Sequence, residues 1–439
     1  MKRSALWLLV PIAATASANT LEVGPGKPFA TPCAAIGSAQ AGDRIEVDAA
    51  GSYDGDTCEW TTDNLTVVGV NGRAKIDLTG VTPAQEKGIF TIDAPNATIE
   101  SFELSGAAIS QADGNNGAGI RHGGTNLTVI DCYLHDNQDG ILGSPPAAGS
   151  GSVTIQSSEL YNNGAGDGYS HNMYLGDYGT VIVVGSYSHH ANVGHLLKSR
   201  GYVNNILYNA LLDEPGGTAS YEIDLPQGGT STIVGNFIEQ SAASMNPIII
   251  TSGEETPLNP TQAVYLVNNT IVNDLASGTF TSFIGGTTAL LENNIFHGAG
   301  TVTTGGSAMQ ITNWTDAQGD PTLGSNYDLL AGSPCIDRGT LPATASLVPT
   351  MEYVAPLMLV GREIAGSAID IGADEFGGTV AGSGGRDGGG GDSGDAGTGP
   401  GSTAKSVGCS CQTPADPPSL AVLAITVVAL ARRRRYRRQ

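Results

Sequence analysis

Three short runs in the middle of the chain decide how it folds: Asn126-Leu127-Thr128-Val129-Ile130, Ser152-Val153-Thr154-Ile155 and Thr180-Val181-Ile182-Val183-Val184. The first two alternate polar and apolar residues with the period of two that a half-buried strand requires, and the third is a β-branched run of similar length. The unit extends in both directions. Asn64-Leu65-Thr66-Val67-Val68 and Asn96-Ala97-Thr98-Ile99 precede it; Tyr202-Val203-Asn204-Asn205-Ile206, Thr232-Ile233-Val234, Ala263-Val264-Tyr265-Leu266-Val267 and Ala289-Leu290-Leu291-Glu292 follow. Successive starts lie roughly 22 to 33 residues apart.

A repeat of this length built from strands, without helical periodicity, is a solenoid. Leucine-rich and ankyrin repeats are excluded by the missing leucine and helix signatures, and a propeller needs four strands per blade. The pattern predicts an all-β fold, a single-stranded right-handed parallel β-helix with three short strands per coil and coils ~4.8 Å apart. Asn163, Asn205, Asn209, Asn236, Asn269 and Asn294 then fall in turns, where stacked amides satisfy backbone groups. Composition agrees: 62 glycines and only 14% charged residues suit short strands and many turns. The net charge of −22 argues against nucleic acid as a partner.

The two ends carry processing signals. Met1-Lys2-Arg3, the apolar stretch Ser4 to Ala14 and the small residues Ala16-Ser17-Ala18 read as an export signal over residues 1–18. The β-helix is expected over 19–376, followed by a Gly/Ser/Asp-rich tether over 377–408. Residues 409–439 hold Cys409-Ser410-Cys411, an apolar stretch over 420–431 and a terminal arginine cluster. That order resembles the C-terminal sorting signals of myxobacteria (MYXO-CTERM). The resemblance implies transient membrane insertion through 420–431, cleavage by a membrane-bound sorting protease and retention at the cell surface or outer membrane. In an exported chain Cys33 and Cys58, flanking one segment, are expected to form a disulfide. Cys132 and Cys335 either pair or remain buried thiols.

Near the other end of the coils, Asp320-Pro321, Asp328-Leu329-Leu330-Ala331-Gly332-Ser333-Pro334-Cys335-Ile336-Asp337 and Asp370-Ile371-Gly372-Ala373-Asp374-Glu375-Phe376 resemble the closing segment of bacterial pectate-lyase-like β-helix proteins. That resemblance speaks to the fold and leaves the activity open.

Chemistry concentrates in one place. Between Arg121 and Arg338 the only lysine or arginine residues are Lys198 and Arg200, and four of the seven histidines lie between His171 and His195. Aligning coils by apolar positions places His171-Asn172-Met173-Tyr174-Leu175, His195-Leu196-Leu197-Lys198-Ser199 and Tyr221-Glu222-Ile223-Asp224-Leu225 in register. Met173, Leu197 and Ile223 are expected to point inward. Strict alternation then turns Tyr174, Lys198 and Asp224 outward, beside Asn172, Leu196 and Glu222, with Arg121 joining the column two coils earlier.

This column suits proton abstraction next to a carboxylate in a uronic-acid polymer. Lys198 is the expected base, driven toward its neutral form by Arg200 and the histidines. Arg200, Arg121 or a Ca²⁺ ion held by Glu222 and Asp224 would neutralise the substrate carboxylate. His171, His195 or Tyr174 would return a proton, and Asn172, Asp213 and Glu214 would contact the polymer. His189-His190 are expected in a solvated turn. Leu197-Lys198-Ser199, with Asn205, Asn209 and Gly235-Asn236-Phe237 beyond it, is similar to the catalytic-lysine stretch of polysaccharide lyase family 6, which implies Lys198 as base. Where that family carries acidic metal ligands before the lysine this chain has Val193 and His195, and its later arginine is replaced by Glu222 and Asp224.

Three functions compete on these residues: a lyase or epimerase centred on Lys198, a glycoside hydrolase using Glu222 and Asp224, and a glycan-binding or structural surface module without catalysis.

Overall fold

The computed structural model describes residues 18–256 and 259–378. The expected export signal up to residue 17, the expected tether beyond Gly378 and the expected sorting signal lie outside the described residues.

Within them the chain winds as a parallel β-helix with three faces. Strands of the first face include Ala118–His122, Asp139–Gly143, Met173–Leu175, His195–Ser199, Tyr221–Leu225 and Ile248–Ser252. The second face takes the alternating runs, among them Asn126–Ile130, Ser152–Gln156, Thr180–Val184 and Val203–Leu207. The third face is made of shorter strands such as Glu159–Tyr161, Tyr187–His189, Ala210–Leu212 and Phe237–Gln240. Each strand pairs in parallel with its counterparts in the coils before and after.

The second face shows why the sequence winds this way. Val67, Ile99, Val129, Ile155, Val183, Ile206, Ile233, Leu266 and Leu291 stand in register through nine coils, all fully buried. A one-residue slip in any coil would put a polar side chain into that ladder.

Turns are held by side-chain amides. At the corner between second and third faces, Asn209, Asn236, Asn269, Asn294 and Asn313 stack. The Oδ1 of each later residue accepts from both the backbone N–H and the Nδ2 of the one before, at 2.8–3.0 Å. Ser186 and Ser158 continue the column upward. Asn163 belongs to a second stack, between Asn137 and Asn172 at the corner leading to the first face. Asn205 is in neither. It lies on the second-face strand, and its neighbour Asn204 is the buried amide, bonded to Ser199, Gly201 and Ser231.

Both ends of the described solenoid are covered. The short helix Pro32–Ile36 buries Ala35 and Ile36 over the first coils and is tied to the first face by the Cys33–Cys58 disulfide. Cys132 and Cys335 are free buried thiols. Toward the other end, the segment around 320–376 packs against the last coils and, through Leu347, Tyr353 and Leu359, back along the outside to Val184, Tyr187 and Tyr208. Asn268 donates to the carbonyls of Asp370 and Gly372, and Asn293 exchanges hydrogen bonds with Thr340.

Candidate active site on the first face

The outward column forms as the alternation requires. Arg121 pairs in register with Leu142, Leu142 with Tyr174, Tyr174 with Lys198, and Lys198 with Asp224. Met173, Leu197 and Ile223 are fully buried in the core.

Strict alternation fails at the start of each strand. Leu196 and Ile249 belong to the apolar core although they share parity with the outward Lys198 and Thr251. The chain is still rounding the corner from the third face there, so two consecutive residues face inward and the one before them swings out. Asn172, Leu196 and Glu222 therefore line the interior, while His171, His195 and Tyr221 stand outside beside Tyr174, Lys198 and Asp224. Asn172 is spent on the corner stack, donating to Leu160, Ser188 and His189. It does not face a polymer.

Glu222 is likewise no metal ligand partnered with Asp224. It is wholly buried, both carboxylate oxygens lack a hydrogen-bond partner, and burial, then Asp213 and Glu239, hold its pKa well above the ordinary range. The inward turn of Glu222 also removes the Glu222/Asp224 pair as hydrolase carboxylates. Asp213, expected to line the groove, is interior too: Oδ2 accepts from Ala219 N–H, and burial raises its pKa to about 7. Glu214 points to the third face, where it accepts from Tyr187. His189 is not in a solvated turn; it is a buried third-face residue stacked on Tyr187.

Lys198 is the centre of what remains. Its Nζ lies 3.0 Å from Asp224 Oδ2 and 3.1 Å from Glu255 Oε1. Burial alone pulls its pKa down, but Asp224 and Glu255 outweigh it, and the pKa is raised. This is the reverse of the direction expected from its cationic and histidine neighbours, because the sequence gives no sign that Glu255 folds back onto it. Arg200 binds the other oxygen of Glu255 at 2.6 Å and donates from Nε to the Tyr174 hydroxyl at 2.9 Å. Both cations lie 5.6 Å from the centre of the Tyr174 ring.

The histidines are neutral. Burial, then the Lys198 charge, brings His195 down to about 3; its Nε2 lies 3.4 Å from Asp224. His171 stacks on His195 at 4.3 Å and accepts the His195 backbone N–H at Nδ1. Burial and His195 keep its pKa well below the ordinary value. Asp224 is lifted by burial to about 6 despite Lys198.

A groove of about 530 Å³ opens next to this cluster, lined by Lys87, Arg121, Tyr169, Tyr174, Asp177 and Arg200 among others. Lys87, Arg121 and Arg200 outnumber Asp93 and Asp177 in its lining, a local excess of positive charge in so acidic a chain that favours carboxylates. Tyr169, 83% exposed, offers an aromatic face at its edge. Tyr169, Lys87 and Glu255 were missed in sequence. Only the paired acids Glu254-Glu255 after Gly253, and a tyrosine in a glycine-rich loop, hinted at them.

No family model and no curated protein matches the chain in sequence. Among solved structures, pectate lyase Pel9A superposes with a TM-score of 0.56 at 16% identity, covering 82% of this chain and 97% of its own. The fold is that of pectate-lyase-like β-helices. A lacto-N-biosidase of family GH136 from Eubacterium ramulus also matches, with a TM-score of 0.36 at 9% identity, over 66% of this chain and 68% of its own. At 16% identity the likeness to Pel9A is one of fold, and the chemistry has to be argued from the site.

Proposed function

We propose that the chain is an exported protein that binds a uronic-acid-containing polysaccharide along the first face and cleaves or epimerises it by proton abstraction beside the carboxylate. One observation carries this reading: a carboxylate, that of Glu255, sits between Lys198 and Arg200 at the end of the cationic groove. A uronate carboxylate has the same charge and shape. Taking the place of Glu255 on Arg200, it would be polarised by the guanidinium as the carbanion forms.

Displacement of Glu255 also frees Lys198 from one of the two anions that keep it protonated. Burial, the largest single influence on Lys198, lowers its pKa and then meets Asp224 as the remaining direct partner, while the incoming carboxylate is held on Arg200. Substrate binding thus prepares the base. Tyr174, which lines the groove next to Arg200, is the group placed to pass a proton to the leaving oxygen. Calcium is not needed in this scheme, since Arg200 supplies the positive charge.

The double pairing of Lys198 favours a second reading, a module that holds the polymer without reacting. The two readings part on Glu255→Gln and Lys198→Ala, assayed by ultraviolet absorbance of the unsaturated product on alginate, pectate and glycosaminoglycans, and by exchange of the C5 proton with deuterated solvent. In the catalytic reading, Lys198→Ala lowers the rate by at least about 100-fold. Glu255→Gln raises the rate at neutral pH and moves the acidic limb of the pH profile to lower pH, because the base gives up its proton more readily. Tighter polymer binding in Glu255→Gln with neither product nor exchange in either protein would establish the binding module instead.

A further inference from the structure

On the third face, away from the Lys198 column, the side chains of His189, His190 and Glu214 converge. His189 Nδ1 lies 3.1 Å from His190 Nδ1, His190 Nδ1 lies 3.8 Å from Glu214 Oε2, and the three donor atoms lie within 4.8 Å of one another. Around a tetrahedral zinc ion with bonds of ~2.0–2.1 Å, neighbouring donors stand roughly 3.4 Å apart.

The surroundings orient these atoms as a metal site requires. His189 presents its other nitrogen, Nε2, to Glu159 at 3.3 Å, a contact that places the ring proton on Nε2 and leaves the Nδ1 lone pair facing His190 Nδ1. Its ring is held between Tyr161, at 4.7 Å, and Tyr187, at 4.0 Å and nearly parallel. The Tyr187 hydroxyl donates to Glu214 Oε1, leaving Oε2 turned toward His190. His189 is buried, whereas the side chains of His190 and Glu214 are 27% and 37% exposed, so the constellation has a firm base and an open side.

We propose that His189, His190 and Glu214 form a binding site for a divalent transition-metal ion such as Zn²⁺, with water or an external ligand completing the coordination. Two imidazoles and one carboxylate are borderline donors that suit zinc and its neighbours and do not suit calcium, which takes oxygen ligands. His190 and Glu214 come from successive coils, so the ion also clamps one coil to the next.

The test is zinc binding to the full-length chain, measured by calorimetry and by the visible absorbance of a Co²⁺ derivative. His190 adopts φ of 51°, a left-handed conformation that asparagine tolerates well, so His190→Asn removes the ligand without disturbing the turn. Compared with wild type, His190→Asn and Glu214→Gln are each expected to lose one bound Zn²⁺ per chain. Affinity should fall by more than the roughly 10–100-fold that loss of an outer-shell partner costs, and Tyr187→Phe should show that smaller loss. Millimolar Ca²⁺ should not displace the zinc. His135→Asn, which alters another histidine–carboxylate cluster on this face, should bind as wild type does. Equal zinc stoichiometry in wild type and His190→Asn, or loss of the ion in His135→Asn, would overturn the assignment.

Discussion

Glu222 departs furthest from what its neighbours suggest. It occupies the position of Leu196 in the coil before and Ile249 in the coil after, both core residues. A carboxylate cannot be ionised there without water or a counter-charge, so it is held neutral. Asp213 and Glu239, raised by burial to about 7 and about 8, lie near it. These acids retain protons in the folded chain that the unfolded chain releases. Their contribution is therefore full below the unfolded carboxyl range, near pH 4, and is lost as pH rises toward the folded values of about 7 and 8. Glu222→Gln keeps the shape and removes the proton. Thermal melts should show it close to wild type at pH 5 and more stable by roughly 2–6 °C at pH 8. A difference that does not grow between those two pH values would mean that Glu222 is ionised and solvated.

At the scale of the strand and its corners, the sequence was readable wherever one rule governed a whole element. The second face kept strict in–out alternation, so inward Val129 and Ile155 could be assigned from pattern alone, Val183 by register with them, and so could the outward Tyr174, Lys198 and Asp224. Legibility ended at the corner onto the first face. There the backbone turns two successive side chains inward, and that turn is invisible to a period-2 reading. Asn172 and Glu222 were misplaced for this reason. Glu255 was missed for another, since a contact spanning 57 residues between a loop and Lys198 leaves no periodic trace. The asparagine corners were legible because one residue type does one task. Asn236 Oδ1 accepts from Asn209 N–H and Nδ2, while its Nδ2 donates to Ile206 and Asn269. Asn236→Ala strands several of those groups in a dry turn and should cost about 3 kcal/mol or more in chemical denaturation. Tyr265→Ala, at an outward second-face position 36% exposed, should cost much less.

Over the whole molecule, a solenoid has no closed core, and its stability is close to a sum of coil terms and coil–coil interfaces. The ends decide whether it frays, and the closing segment is held by one buried cation. Arg362 has no exposed side-chain surface. It donates to Glu375 and to the carbonyls of Gly372, Ala373 and Asp374. Glu375 in turn accepts the backbone N–H of Asp370, whose carbonyl receives Asn268 from the coils. The lock therefore runs from Arg362 through Glu375 to a corner asparagine. Arg362→Met fills much of the same volume, yet it leaves Glu375 buried without its counter-charge and should destabilise the closing segment by about 3–5 kcal/mol. Because coupling passes between neighbouring coils and through the contacts of the closing segment itself, the loss should stay within the coils that segment covers. Hydrogen exchange should accelerate across residues 320–378 and the adjoining strands Thr270–Asn273 and Ile295–Gly298. The amides of Arg44–Asp48, at the opposite end of the solenoid, should keep their protection. Uniform acceleration through both regions would show a molecule that unfolds as one unit, with the closing segment acting as its keystone.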